Sequence, residues 1–318
     1  AGDISNQGYS NTNNKTFGLW LDWDLGGVSL NSISAFQKFR RDQAYDVDGG
    51  PFVIGDVFSR DNIRTFSQEI RLTSDTGGID WIAGAFYSND RIKFVQNILL
   101  TDLLGFGTTN GGVQKDETMA LFGHVTLPLT DRLSVTAGAR YTHEVIDWRG
   151  GSYLGVFETL EEGGIAGLQF SGIPLMPGNL SGALPGGPLD FPDTIKENQL
   201  DGRITVEYRP TEDVLLYAGF SKGFKSGGYP GAVLFDQVQQ KPFGPEKLFA
   251  YESGIKATLI PRTLHFNAAA FYYDYKDWQA NFTVSGELNA RLQNAGDVEI
   301  KGIEAEIDWK PIAGHTMR

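Results

Sequence analysis

Residues 197–228, ENQLDGRITVEYRPTEDVLLYAGFSKGFKSGG, contain the pattern that the rest of the chain repeats. From residue 200 to residue 208 apolar and polar side chains alternate, which is the period of two that a β-strand gives. Residues 209–213, RPTED, then offer a proline without a backbone donor and acidic turn residues, and a second alternating run begins at Val214. The stretch therefore predicts a β-hairpin with one apolar and one charged face, followed by a loop rich in glycine and aromatic residues.

The same alternation returns along most of the chain and predicts about twelve strands. Short turns, such as residues 74–78 and 128–131, alternate with long loops, of which the longest is predicted over residues 146–196. An unstructured stretch of that length is uncommon in a compact soluble domain, whereas a membrane barrel carries long loops on one side. The order of the segments predicts an all-β, antiparallel, up-and-down arrangement.

Two further details of the strands are predicted from local sequence. Long loops are expected over residues 40–62 and over the glycine-containing residues 105–112. The apolar positions change phase between Leu30 and Ile33, which predicts a β-bulge in the second strand.

Composition excludes several classes of protein. The 318 residues contain no cysteine, so disulfides, thiolate metal sites and thiol nucleophiles are excluded. The net charge of -12 and the isoelectric point near 4.8 argue against a nucleic-acid partner. No apolar stretch approaches the ~20 residues of a membrane helix, but strands that face lipid at every second position keep the mean hydropathy low, and here it is -0.24.

Large aromatic residues gather at two levels of the predicted strands. Beside the short turns on the apolar side are Trp23, Trp81, Tyr208 and Trp309. Near the long loops are Tyr141, Trp148, Tyr272 and Trp278. Two such levels, together with the asymmetry of the loops, predict a transmembrane β-barrel. A soluble sheet with one wet face would instead spread its inner aromatic residues along the strands.

No catalytic or metal-binding motif stands in a suitable context. Residues 219–223, GFSKG, match the nucleophile elbow G-x-S-x-G, but that motif requires a helix directly afterwards, and residues 225–231 predict none. The four histidines lie on different predicted elements, and residues 46–50, DVDGG, lack the later ligands of a calcium loop. We expect no enzyme activity and no catalytic, cofactor or metal site.

Charged residues of both signs are predicted to face the inside of the barrel. They are Glu69, Arg71, Arg140, Asp201, Arg203, Glu207, Glu252, Lys256, Glu304 and Glu306. A wide barrel is not filled by its own side chains, so these residues either line water or pair with a domain inserted into the lumen. The mixed signs favour pairing over a selectivity ring.

Several motifs, in their order along the chain, resemble the barrel of TonB-dependent outer-membrane receptors. They are FSQEIRLTS at 66–74, WIAGAFY at 81–87, LYAGFSKGFKSGG at 216–228, PEK at 245–247 leading to YESGIK at 251–256, and NAGD at 294–297 leading to IKGIE at 300–304. The resemblance covers nearly the whole chain, and the ordered set is more specific than any single motif.

The resemblance implies a receptor in the outer membrane of a Gram-negative cell that captures a scarce solute and imports it with energy delivered through TonB. Such receptors fill a barrel of about 22 strands with a plug domain. Residues 1–318 are then expected to supply about twelve strands, with the plug, the first strands and the last strands outside this sequence. The expected partners are TonB, outer-membrane lipid and a ferric siderophore, without nucleic acid and without a cofactor.

Substrate binding is expected in the long loops, where aromatic side chains can pack on a bulky chelate. The candidate residues are Tyr45, Phe52, Trp148, Tyr153, Tyr229 and Phe235, with Arg140 and Arg203 on the wall below. Two alternatives stay open at this point. One is a passive outer-membrane porin, and the other is a soluble β-rich module that binds or hydrolyses carbohydrate.

Overall fold

The computed structural model describes residues 8–47, 49–74, 78–104, 106–154, 191–229, 242–282 and 291–310. The strands are β1 (Tyr9–Asp24), β2 (Ser29–Tyr45), β3 (Asp56–Ser74), β4 (Asp80–Leu100), β5 (Phe106–Thr130), β6 (Leu133–Leu154), β7 (Phe191–Thr211), β8 (Val214–Lys225), β9 (Glu246–Ile260), β10 (Leu264–Lys276), β11 (Gln279–Phe282), β12 (Arg291–Asn294) and β13 (Val298–Trp309). One short helix, α1 (Thr101–Leu104), lies between β4 and β5. Among these residues no helix is long and apolar enough to cross a membrane.

Eleven of the strands form a single sheet in which each strand pairs with its neighbour in the chain. The order is β1-β2-β3-β4-β5-β6-β7-β8-β9-β10-β13, and all pairs are antiparallel. Strands β11 and β12 form a separate hairpin inside the connection from β10 to β13. This is the up-and-down arrangement that the sequence predicts.

The strands extend further toward the long loops than predicted. β2 continues to Tyr45 and β3 begins at Asp56, so the loop predicted over residues 40–62 is much shorter. β5 begins at Phe106 and therefore contains most of residues 105–112, which were predicted to form a loop. That prediction was wrong because glycine is compatible with a strand where a neighbouring aromatic ring covers it.

The β-bulge predicted between Leu30 and Ile33 was also wrong. β2 pairs with both β1 and β3 without a register shift. Ser32 and Ser34 occupy positions where an apolar residue was expected. Gln68 Nε2 donates to Ser32 Oγ at 3.0 Å, and the Ser34 hydroxyl donates to Gln68 Oε1. The phase change therefore reflects polar side chains that satisfy one another, with no extra residue in the strand.

The two faces of the sheet differ in kind. One face, here called the outward face, exposes large apolar side chains such as Phe17 (64%), Leu121 (66%) and Ile303 (82%). A sheet that buried this face in a core of its own would cover such residues, so the face is built to contact an apolar surrounding. The opposite face, here called the inner face, carries charged residues such as Arg140 and Glu197.

Aromatic residues on the outward face lie at two levels of the strands. At the upper level, which is farther from the short turns, Phe17, Phe36 and Phe66 are successive cross-strand partners near the middle of β1, β2 and β3. On the same face, toward the other end of the strand order, Tyr251 in β9 and Tyr272 in β10 are partners whose ring centroids lie 6.2 Å apart. Toward the short turns, exposed aromatic residues include Trp23, Tyr208 and Trp309. Trp148, also predicted at the upper level, was assigned wrongly, because its place in the alternation of β6 puts it on the inner face.

Candidate functional site

Three aromatic rings stack on the inner face at the long-loop end of the sheet. Trp148 in β6 lies between Phe94 in β4 and Tyr229, which follows β8. Its ring centroid is 5.7 Å from that of Phe94 and 5.6 Å from that of Tyr229, with planes 25° and 17° apart. Trp148 is 8% exposed. We call these three residues the aromatic stack.

Two glycines, one in β5 and one in β6 itself, make room for the indole of Trp148. A Cβ atom at Gly112 of β5 would lie 2.3 Å from Trp148 Cη2. A Cβ atom at Gly150 would lie 2.6 Å from Trp148 Cζ2 and 2.4 Å from the carbonyl oxygen of Gly111. Real side chains do not approach this closely, so the position of the indole depends on glycine at these two places.

The connection after β8 folds across β7 onto the inner face. The Ser226 hydroxyl donates to the carboxylate of Glu144 in β6, and the Gly227 backbone N–H donates to Glu197 Oε1 in β7 at 3.3 Å. Tyr229 then reaches Trp148. Residues 226–229 are thus held at three successive points and form one side of the candidate site.

A second set of hydrogen bonds joins this connection to the one after β10. Gln279 Nε2 donates to the carbonyl oxygens of Ser226 at 2.8 Å and Gly244 at 3.0 Å. Asn294 Oδ1 accepts from the Gly244 backbone N–H at 2.7 Å, and Asn294 Nδ2 donates to Gly244 O at 3.0 Å and to Asp277 O at 2.7 Å. The described parts of the two long connections therefore form one connected structure.

The phenol of Tyr229 is kept neutral by its surroundings. Burial raises the pKa of Tyr229 well above its ordinary value, and the carboxylates of Asp193 and Asp147 raise it further. A neutral phenol can donate a hydrogen bond, and its ring offers a face for stacking. The side chain suits a ligand that combines an aromatic or apolar body with oxygen acceptors.

Carboxylates occupy paired positions below the aromatic stack. Asp90 of β4 pairs with Asp116 of β5, and Glu144 of β6 pairs with Glu197 of β7. Glu197 is 8% exposed, and its Oε2 atom has no hydrogen-bond partner among the residues that the structure describes. This part of the inner face carries a concentration of negative charge that a cationic group would neutralise.

The two arginines predicted on the wall occupy β6 and β7. The guanidinium of Arg140 lies 5.3 Å from the ring centroid of Phe86 and 5.8 Å from that of Phe122, and its Nε atom donates to Thr142 Oγ1 at 3.2 Å. Arg203 lies on the neighbouring strand. Both are nearer to the short turns than Trp148 is, as the prediction required.

The other candidate residues do not join the aromatic stack. Tyr45, at the end of β2, is 41% exposed, and Phe52, in the connection that follows, is 58% exposed. Tyr153 lies in β6, but its side chain is outside the described residues, as is Phe235 altogether. The sequence reasoning missed Phe94, Glu144 and Glu197 as site residues. Their alternation along the strands was the available signal, because it places all three on the inner face with Trp148.

Neither residues 219–223, GFSKG, nor residues 46–50, DVDGG, lie in the structural context that catalysis or calcium binding requires. Ser221 lies within β8, and the described residues that follow it form no helix. Asp46 Oδ1 accepts from the Gly49 backbone N–H at 3.0 Å, which is the geometry of a turn. Among the described residues, no group of three or more His, Cys, Asp or Glu side chains is placed to hold a metal ion.

The chain matches the family described as "TonB dependent receptor-like, beta-barrel" over residues 1–316. It therefore belongs to this family, which consists of β-barrel transport receptors of the Gram-negative outer membrane. The resemblance seen in the sequence motifs and the all-β, antiparallel, up-and-down barrel fold are both confirmed.

Among characterised proteins, the chain is similar to the pesticin receptor of Yersinia enterocolitica, with 26% identity over 246 residues. That match covers 76% of this chain and 31% of the receptor, so the chain spans about a third of that relative's length. The solved ferric yersiniabactin uptake receptor FyuA from Yersinia pestis has a TM-score of 0.73 at 21% identity, over 96% of this chain and 41% of that one. The siderophore receptor PiuA from Acinetobacter baumannii has a TM-score of 0.66 at 12% identity, over 96% and 46%. These two structures show the likeness of fold.

Proposed function

We propose that this chain forms part of an outer-membrane receptor that binds a ferric siderophore on its long-loop side and imports it with energy delivered through TonB. The observation that carries the proposal is the aromatic stack of Phe94, Trp148 and Tyr229 at the long-loop end of the inner face. A solute that enters the barrel from outside meets this end first. Stacked rings provide a rigid apolar surface for a bulky chelate at low entropic cost.

The names of the similar proteins support an iron complex as the substrate class. The relatives named above include a ferric yersiniabactin uptake receptor and a siderophore receptor. A ferric-catecholate import receptor from E. coli has the same fold, with a TM-score of 0.59. The copper transporter OprC, with a TM-score of 0.64, shares it too, so fold alone does not define the substrate. Our choice of a ferric siderophore rests on the stack together with these names.

The candidate residues take different parts in this proposal. Tyr229 contacts the chelate directly, and Trp148, which is 8% exposed, supports the ring of Tyr229 from behind. Tyr45 and Phe52 contact the chelate from exposed positions near the ends of β2 and β3. We assign Tyr153 and Phe235 to the same loop surface on sequence grounds alone. Arg140 and Arg203 interact with the solute after it has passed the aromatic stack, since they lie deeper on the inner face.

We further propose that residues 1–318 are one part of a larger barrel whose lumen contains a plug domain. The paired carboxylates Glu144 and Glu197 support this idea, because one oxygen of Glu197 has no partner among the described residues. A buried carboxylate of this kind is stabilised when a cationic side chain pairs with it. The plug and the region that contacts TonB would come from other parts of the same protein, and outer-membrane lipid would surround the outward face.

Two alternatives are less well supported. A passive porin needs no plug and no energy source, and membership of the receptor family argues against it. A soluble carbohydrate-binding or hydrolytic module would bury one face of the sheet, whereas Phe17, Leu121 and Ile303 are exposed. We propose no chemical reaction on the substrate, in keeping with a family of transport receptors.

The binding step can be tested with the full-length receptor in outer membranes of cells that lack their own iron-complex receptors. Radiolabelled ferric hydroxamate, catecholate and citrate complexes are supplied separately, with a copper complex as a further probe. We expect saturable binding of at least one ferric complex and none of the copper complex. Binding of the copper complex alone would replace iron by copper as the substrate, and binding of none would remove the proposed site.

A further inference from the structure

Five basic residues occupy directly paired positions on strands β1 to β5. Lys15 pairs with Lys38, Lys38 with Arg64, Arg64 with Arg91, and Arg91 with Lys115. No register shift interrupts these four pairings, so all five side chains leave the sheet on the same face. We call these five residues the basic row.

The basic row lies on the outward face, next to a row of aromatic residues. Phe17, Phe36 and Phe66 are also successive partners, and each lies two positions from a member of the basic row on its own strand. Their exposed fractions are 64%, 44% and 42%. Two residues along a strand span about 7 Å. The outward face therefore presents a line of cations about 7 Å beyond a line of apolar rings, on the long-loop side.

The alignment of like charges needs a physical reason. Like charges directly opposite each other on neighbouring strands destabilise a sheet. Lys15, Lys38 and Arg64 are exposed and form no ion pair with the residues that the structure describes. The whole chain has a net charge of -12, so composition does not account for such a line of cations. An anion that bridges neighbouring strands would remove the repulsion.

Carboxylates of the outward face do not supply that anion for the first three members of the row. Asp42, beyond the row on β2, accepts from Arg40 Nε at 2.8 Å and also from Arg60. It is therefore engaged by two cations that are not members of the row. Arg40 and Lys93 follow two positions after Lys38 and Arg91, so the positive charge extends further toward the long loops.

We propose that the basic row binds the phosphate groups of membrane lipid, with the acyl chains lying along the aromatic row and below it. This inference rests on the proposed placement in a membrane. A lipid with a phosphate head group can bind the cations through the phosphate and contact the neighbouring rings through its apolar part. A free phosphate ion can bind the cations but makes no apolar contact with the rings. Lys and Arg side chains beside a bilayer attract anionic head groups in this way.

An apolar groove on the same face continues the proposed site. It has a volume of about 470 Å³, and its lining includes Ile70, Ala85, Leu121 and Tyr141. By register, Ala85 and Leu121 are partners six pairs below Arg91 and Lys115 in the ladder between β4 and β5, which is about 20 Å along the strands. The groove thus lies beneath one end of the basic row, where an acyl chain of a bound lipid would extend.

The test uses the purified full-length receptor in neutral detergent micelles and measures retained lipid by native mass spectrometry. Phosphatidic acid is the probe, and diacylglycerol with the same acyl chains is the matched lipid without phosphate. We expect retention of phosphatidic acid over diacylglycerol. Combined replacement of Lys15, Lys38 and Arg64 by Gln should weaken that retention by roughly 10- to 100-fold. Lys38 pairs with both Lys15 and Arg64, and Lys38→Gln alone should weaken the retention of phosphatidic acid by a smaller factor.

The control replaces three outward-facing cations outside the row, Lys196, Lys222 and Lys301, by Gln, so the loss of charge is the same. Retention should change less than about threefold in this variant. Equal loss in both triple variants would overturn the proposal, as would equal retention of diacylglycerol. Displacement of the lipid by inorganic phosphate would also overturn it, since the site would then accept the free anion.

Failure of this proposal can be told apart from failure of the proposed function. Heat-dependent gel migration of each variant, extracted from the outer-membrane fraction, reports the folded barrel and its location independently of lipid retention. Uptake of the ferric complex by the same variants reports transport. Normal migration and uptake with unchanged lipid retention after loss of Lys15, Lys38 and Arg64 would refute the lipid site alone.

Discussion

The indole of Trp148 stacks on the phenol ring of Tyr229, with ring centroids 5.6 Å apart and planes 17° apart. Trp148 belongs to β6, whereas Tyr229 follows β8, so the contact crosses the intervening strand β7. Glu144 accepts a hydrogen bond from Ser226 and Glu197 accepts one from Gly227, three and two residues before Tyr229. The inner face of the sheet thereby fixes residues 226–229, which begin the connection after β8.

Replacing Trp148 or Tyr229 by Ala should weaken binding of the ferric complex without loss of the folded barrel. Each replacement removes one ring of the aromatic stack, and a central aromatic contact is typically worth on the order of 10-fold in affinity. Binding and uptake of the radiolabelled complex provide the measurement, and heat-dependent gel migration reports folding. Trp148→Phe keeps a ring, so its affinity for the ferric complex should lie between that of the wild type and that of Trp148→Ala. Unchanged uptake with both alanine variants would remove these residues from the site.

Gly112→Ala should destabilise the protein, whereas Gly223→Ala should not. A Cβ atom at Gly112 would lie 2.3 Å from the Trp148 ring, while nothing lies within 4 Å of one at Gly223. Overpacking of this kind costs about 1–3 kcal/mol. Urea unfolding of the full-length receptor measures the difference, and the tryptophan emission spectrum should shift only for Gly112→Ala. Equal midpoints for the two variants would show that the indole is not held by its neighbouring strands.

Glu197→Ala should speed hydrogen exchange of the Gly227 backbone amide. That amide donates to Glu197 Oε1 at 3.3 Å, and hydrogen bonds to charged groups contribute about 1.5–3 kcal/mol. The expected acceleration is roughly 10- to 100-fold, measured by mass spectrometry on peptides that contain Gly227. Glu207→Ala is the control, because Glu207 also lies on β7 but pairs with Arg209 at 3.3 Å. Similar exchange in both variants would mean that Glu197 does not hold the loop.

The phenol of Tyr229 should ionise only well above its ordinary pKa near 10. Burial is the main cause, and Asp193 and Asp147 add to it. Because the folded state holds this proton more tightly than the unfolded state, the group's contribution to stability is complete below pH 10 and is lost as the pH rises further. The difference in phenolate absorbance between wild type and Tyr229→Phe isolates this step. A step at or below pH 10 would contradict the half-buried position of the ring beside the two carboxylates.

The strand order was predictable because one face of each strand must meet an apolar surrounding while the other stays polar. That requirement gives a period of two in most segments, as in residues 200–208, and it needs no information about distant contacts. The lengths of the strands were not predictable in the same way. Gly112 looked like a loop residue because the indole that covers it comes from Trp148 on the next strand.

The candidate site was only partly predictable for a related reason. Aromatic residues near long loops suggested Trp148 and Tyr229, and the structure brings these two together. Phe94 was overlooked because the stack forms across three different elements, and no local pattern reports such a contact. Glu144 and Glu197 were overlooked because a carboxylate that holds a loop looks the same in sequence as one that faces water.

The most direct test of the account is the accumulation of a radiolabelled ferric complex by cells that carry the full-length receptor, with and without TonB. We predict saturable accumulation that requires TonB, while binding at the cell surface persists without it. Accumulation that does not saturate and is equal in both strains would contradict active import and would identify a passive pore instead.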